Sequence, residues 1–276
     1  MEVYFCVIPF FEKKKTAMQK NLVIIGAVAL TLLVYWYFSG ENAFTAPART
    51  PKTVPLTFEI AKLEKKFGDC PAPDQRCLTV KLEYPVAQGG ADSTREAINR
   101  VIRENIIGSL QFGDQEINLD MHIDTALADL ADEYQDYLEE LPDFGMGWEF
   151  ETNGQVMFQN DSVVSVSMSN YAFTGGAHPN NYLSIYNFDT RSGRRLGWTD
   201  LVPDTLAFKK IAEAEFRKIH ELKPADNLED AGFWFPENQF TLPANFGRNA
   251  EGIYLFYNAY EIAPYMVGPT DMTIKQ

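Results

Sequence analysis

Val163-Val-Ser-Val-Ser-Met-Ser-Asn-Tyr171 alternates apolar and small polar residues at period two, and Tyr182-Leu-Ser-Ile-Tyr-Asn-Phe188 repeats the pattern. Side chains on a strand point alternately to its two faces, so both segments predict strands with one face turned to a core. Upstream, Trp148–Gln159 is strand-like and is interrupted by Asn153-Gly154, the strongest short hairpin signal. Downstream, Arg191-Ser192-Gly193 marks a turn, and Asp204–Leu222 reads as a helix with Leu206, Ile211, Ala214, Phe216 and Ile219 inside. Strands return at Gln239–Leu242, Gly252–Tyr257 and Met272–Lys275.

Towards the N-terminus, strand-like Leu56–Lys62 and Leu78–Tyr84 bracket a proline-rich loop. Ser93-Thr-Arg-Glu96 has the form of a capping box, and Ile98, Val101, Ile102 and Ile106 then recur at helical spacing. A second helix is expected over Asp120–Glu140, with Ile123, Leu127, Leu130, Tyr134 and Leu138 inward and its many acids solvated. Strands and helices are grouped rather than alternating. The expected class is α+β, with antiparallel sheets and helices on one face, divided into subdomains at 56–145 and 146–276.

Residues 22–38 (LVIIGAVALTLLVYWYF) carry no charge. As a helix they span about 26 Å, just short of the ~30 Å hydrocarbon core. Lys13, Lys14, Lys15 and Lys20 precede them and Tyr35, Trp36 and Tyr37 close them, which predicts a transmembrane signal anchor with residues 1–21 in the cytoplasm. The alternative is a cleaved signal peptide, against which stand the length of the segment and the lack of a nearby small-x-small site. Met18 is a second candidate start, which leaves 1–17 untranslated. Residues 39–55 form a polar, proline-bearing linker. Beyond Phe38 stand 20 of the chain's 24 basic and 36 of its 38 acidic residues, a net of −16. Such a surface repels nucleic acid and attracts basic partners. In an oxidising compartment, Cys70 and Cys77 in GDCPAPDQRCLTV read as a disulfide; the rival reading, a metal site, lacks further ligands nearby.

Between the two alternating strands lies Tyr171-Ala-Phe-Thr-Gly-Gly-Ala-His-Pro179, followed by Asn180-Asn181-Tyr182. Two glycines and a proline make either a plain rigid turn or a frame that holds His178 in one orientation. This loop, the pair Cys70…Cys77 before LTVKLEYP, and the closing YNAYEIAPYMVGP resemble a known domain pair. It occurs in the outer part of the RsiV anti-sigma factor and beside the catalytic domain of the PdaC peptidoglycan deacetylase. The resemblance covers most of residues 55–276. It implies a membrane-anchored extracytoplasmic binding or sensing module of the bacterial cell envelope, recognising lysozyme-like basic proteins or peptidoglycan glycans. The alternative is a wall glycan-modifying enzyme or an accessory subunit of one. At most twenty-one residues precede the apolar segment, too few to wrap a sigma factor.

No H-E-x-x-H, G-x-S-x-G or glycine-rich phosphate loop occurs, and of the three histidines, His122, His178 and His220, the two at helix ends, His122 and His220, have no ligand partner at i+4. No catalytic residue, metal or cofactor is expected, although a carboxylate pair such as Asp161 with Glu261 is the form a glycosidase would need. The candidate binding residues are Gly175, Gly176, His178, Tyr182, Glu261 and Tyr265. In Phe233-Trp234-Phe235 one ring is expected outside, since a strand cannot bury all three on one face.

Overall fold

The computed structural model describes residues 54–70, 76–111, 118–143 and 145–275. The apolar segment 22–38 and most of the linker after it lie outside the described residues.

Two long strands, β1 (Thr57–Asp69) and β2 (Arg76–Gln88), pair antiparallel over their whole length. A disulfide between Cys70 and Cys77 closes the far end of this hairpin. Two helices follow, α1 (Asp92–Leu110) and α2 (Ile123–Glu140), and then β3 (Trp148–Gln159), β4 (Val163–Phe173) and β5 (Asn180–Asp189). The first sheet has the order β1-β2-β3-β4-β5. It is mixed rather than antiparallel, because β3 runs parallel to β2 through Leu78↔Trp148 to Glu83↔Asn153. The two helices form the crossover that a parallel neighbour requires. This sheet draws strands from both sides of residue 145.

Asn153-Gly154 is not a turn. Both residues lie inside β3, paired with Ser169 and Met168 of β4. Glycine is there for space: a Cβ on Gly154 would stand 2.6 Å from Met168 Sδ and 2.7 Å from Pro85 Cδ. Pro85 has no N–H to give, and the β2–β3 ladder stops just before it. The capping box is also absent. Ala91 is the N-cap of α1, Asp92 pairs with Arg95 at 2.5 Å, and the buried Thr94 hydroxyl donates to the Arg191 carbonyl.

The main core lies between the helices and one face of this sheet. Ile98, Ile102 and Ile106 of α1 and Leu127, Leu130 and Tyr134 of α2 meet Leu78, Val80 and Leu82 of β2 and Val164, Val166 and Met168 of β4. Full burial of each such side chain contributes about 1.5–3 kcal/mol. The serine face of β4 is buried too, since Ser165 and Ser167 are closed off by a second sheet.

That second sheet, β6 (Asn245–Arg248), β7 (Gly252–Tyr257) and β8 (Thr270–Lys275), is antiparallel. Gly247 lets it come close, because a Cβ there would meet Ile185 Cγ2 at 2.8 Å. Side-chain amides close the outer edge of β5: Ile185 N–H donates to Asn245 Oδ1 (3.1 Å) and Leu183 N–H to Asn258 Oδ1 (2.7 Å). An open strand edge is a site of unwanted pairing, and here it is covered from within.

Beyond β5 come the short α3 (Trp198–Leu201) and then α4 (Thr205–Ile219), which packs on the second sheet around Phe216. The face of α4 differs from expectation. Phe208, Ala212 and Phe216 are buried, while Leu206, Ile211 and Ile219 are exposed. An aromatic cluster decides this, since Phe233, Phe235, Phe240 and Tyr257 all pack edge-on or tilted around Phe216. Trp234, between two of them, is 48% exposed. Gln239–Leu242 forms no strand.

Candidate functional site

β4 ends at Phe173 and β5 begins at Asn180, so the Gly-Gly-Ala-His-Pro segment is the hairpin loop between them. It sits at the end of the sheet where β2 and β3 begin. Leu56, where the chain comes into the domain, is at the opposite end, bonded through its carbonyl to Gln159 at the end of β3. The ten residues of β5 separate the two ends by about 33 Å.

The two glycines differ. Gly175 has φ +91°, a left-handed conformation that side chains resist, and a Cβ on it would touch Met146 Cε at 3.0 Å. Gly176 has an ordinary φ, and its nearest neighbour would be 3.8 Å away. The turn they make presents His178 to solvent. Its ring lies flat on Tyr265, with centroids 4.2 Å apart and planes at 14°, and Nδ1 is 3.1 Å from the Pro179 carbonyl.

Tyr265 comes from the second sheet's β7–β8 connection, Asn258–Pro269, where a 3-10 turn covers Tyr265–Val267. Tyr260 stands 5.4 Å from Tyr265 with φ +65°, and Met266 at the apex is 91% exposed. Non-glycine residues in this conformation gather at functional loops. Glu261 holds the connection together. Its carboxylate accepts the Asn258 N–H at 2.8 Å and its carbonyl accepts from Trp234 Nε1 at 3.1 Å.

These pieces enclose a groove of about 460 Å³ between the β4–β5 loop and the β7–β8 connection, walled by His178, Tyr182, Tyr260 and Tyr265. None of the described residues lining it is Asp, Glu, Lys or Arg. On the helix side of the sheet lies a second concavity of about 590 Å³, which shares His178, Asn180 and Tyr182 with the first. Of the expected binding residues, His178, Tyr182 and Tyr265 thus converge on one groove. Gly176 lines only the helix-side concavity, Gly175 shapes the loop, and Glu261 acts through the backbone rather than on the groove. Tyr260, Asn258 and Met266 were not expected there. Their trace in the sequence is the same Tyr-Asn-Ala-Tyr-Glu-Ile-Ala-Pro-Tyr-Met run that carries the resemblance.

Asp161 and Glu261 do not form a pair. Asp161 lies in the β3–β4 turn, where its carbonyl accepts from Thr190 at the far end of β5. Among the described residues no group of three or more His, Cys, Asp or Glu side chains gathers as a metal would need.

The family model for the deacetylase PdaC matches residues 72–181, and that for DUF3298, a protein of unknown function, matches 200–276. A DUF3298-family member from Bacteroides fragilis has a similar crystal structure (TM-score 0.61, 16% identity), covering 81% of this chain and 91% of its own. A DUF3298-family protein from Pseudomonas aeruginosa PAO1 matches likewise (TM-score 0.58, 20% identity; 80% and 91%). At such identities the likeness concerns the fold. No curated protein matches the chain. The groove takes His178 and Asn180 from one matched segment and Tyr260 and Tyr265 from the other, so it lies at the junction of a PdaC-type domain and a DUF3298 domain, and it is this domain pair that the chain carries.

Proposed function

We propose that residues 54–276 form an extracytoplasmic binding module of the bacterial cell envelope, tethered through residues 22–38, and that the groove at His178 and Tyr265 takes a glycan chain of the wall. The domain content is that of a cell-envelope module, and the Cys70–Cys77 disulfide suits an oxidising compartment. The observation that carries the choice of ligand is the groove's lining. In a chain of net charge −14, none of its described lining residues is charged, yet Tyr182, Tyr260 and Tyr265 are 50%, 58% and 39% exposed. Exposed flat rings with polar edges suit the apolar faces and hydroxyls of sugar rings, whereas a basic protein would be met by carboxylates. A tether at Leu56 leaves the groove free at the other end of the sheet.

The test is co-sedimentation of the full-length chain with purified peptidoglycan and, separately, its capture by lysozyme. Retention on the wall is expected to survive about 0.5 M salt, because no ion pair holds it. Tyr265→Ala should weaken it about tenfold without moving the melting temperature by more than a degree or two. Absence of retention refutes the reading. Lysozyme capture that salt abolishes and Tyr265→Ala leaves intact would replace it with recognition by the acidic surface.

A further inference from the structure

The helix-side concavity is floored by a chain of neutral polar side chains. Ser109 Oγ meets Thr152 Oγ1 at 3.5 Å, and Thr152 donates to Asn170 Oδ1 at 2.9 Å. Asn170 Nδ2 donates to Asn105 Oδ1 at 3.1 Å, and Asn105 Nδ2 donates to Ser184 Oγ and Tyr186 OH, both at 3.1 Å. The inventory of donors is uneven. Asn105 uses both of its N–H groups, but Asn170 uses one of two, and the Ser184 hydroxyl accepts without donating among the described residues. At the end of α1, Gln111 Oε1 is buried with no partner among the described residues. One amide N–H, one rotatable hydroxyl and one acceptor are therefore left over in a cleft lined by Asn170, Ser184 and Gln111. Of these only Gln111 Oε1 is both shut off from solvent and without a partner among the described residues; a buried polar atom in that state is costly, so it marks a place where something else supplies a donor. Among the described residues the one carboxylate on the rim, Glu104, lies 3.6 Å from Arg100.

We propose, building on the glycan reading above, that this cleft is the second half of the same site and takes a secondary amide carried by the glycan. A secondary amide offers one carbonyl and one N–H, which answers the surplus in kind and sign. Tyr182 borders both concavities, so a sugar stacked in the groove can pass its substituent around that ring into the cleft. An ammonium in the same place would face the Asn170 and Ser184 donors and find no free carboxylate among the described residues.

The acetamido group of the sugar and the peptide of a muropeptide share this chemistry, and calorimetry on the full-length chain separates them. The probes are an N-acetylglucosamine tetramer, its de-N-acetylated form, cellotetraose and a muropeptide. The acetylated tetramer, the muropeptide, or both should bind at least tenfold more tightly than cellotetraose, because a site built for a hydrogen bond rejects an analogue lacking the group. Asn170→Asp and Ser184→Ala should weaken the amide-bearing probes and close that gap, and Tyr265→Ala should weaken every probe. A gap for the tetramer identifies the acetamido source, and one for the muropeptide alone identifies the peptide. Equal affinities for cellotetraose and the amide-bearing probes, or a gap that survives both variants in a folded chain, overturn the proposal while the glycan reading stands. Failure of all four probes overturns both.

Discussion

Replacing Gly154 with alanine tests whether β3 is one continuous strand. The added methyl would lie 2.6 Å from Met168 Sδ and 2.7 Å from Pro85 Cδ, at a buried position. Met168 is fully buried but flexible enough to swing aside, whereas the Pro85 ring is held by the β1–β2 pairing at Ile60. Forcing one methyl into a packed core costs about 1–3 kcal/mol. Exchanging glycine for alanine in a strand returns roughly 0.5 kcal/mol of backbone entropy. The net loss should be about 1.5 kcal/mol, a fall in melting temperature of about 3–6 °C for a domain of this size. Thermal melts of Gly154→Ala, Pro85→Ala and the double variant form the assay. Removing the proline ring frees the space, so the two changes should couple by about 1 kcal/mol in the relieving sense. A turn at Asn153-Gly154 would leave Pro85 out of reach and the coupling near zero. Additivity within about 0.3 kcal/mol would therefore refute the packing argument.

Gly175→Ala should cost about 1–2 kcal/mol, because its φ of +91° and the contact with Met146 both resist a side chain, while Gly176→Ala should stay within about 0.5 kcal/mol; equal costs in thermal melts would show that the loop is not held as described. His220 packs between Phe216 and Phe233 with Nε2 3.1 Å from Thr270 Oγ1, and burial lowers its pKa below the ordinary 6.5. The unfolded chain therefore takes up this proton first as pH falls, so the contribution is intact above about 6.5 and is lost progressively as pH drops below it. Urea unfolding between about pH 7 and pH 5 should show a shallower loss in His220→Gln than in the natural chain, and parallel curves would contradict the assignment.

What could be read from the sequence is what depends on neighbours along the chain. The period-two runs became β4 and β5, Gly252–Tyr257 is β7 to the residue, and α2 turns Leu127, Leu130 and Tyr134 inward as their spacing requires. Where a local signal had a tertiary cause, it misled. Asn-Gly marks a turn only if glycine is there for its backbone freedom, and Gly154 is there to make room. On α4 two apolar faces competed, and the cluster around Phe216, built by Phe233, Phe235 and Phe240 from later in the chain, chose between them. The burial of the β4 serines has no local signal, because nothing nearby in sequence announces the second sheet that covers them.

The site follows the same division. Gly175 and His178 stood out because an unusual backbone leaves an unusual composition, but the ring on which His178 lies comes from the far end of the chain. The polar floor of the helix-side cleft left a fainter trace. Asn105 sits three residues after Ile102 and seven after Ile98, inside the stripe that α1 turns to the core. Asn99 lies beside that stripe as well, and its amide both accepts from the Ala87 N–H (2.7 Å) and donates to the Ala87 carbonyl (3.2 Å), so its burial is fully explained. Asn105 is bonded instead to a chain of side chains that ends in unspent donors. A polar residue in an apolar stripe that closes on backbone is architecture. One that opens into a cleft with donors left over is the residue to mutate first.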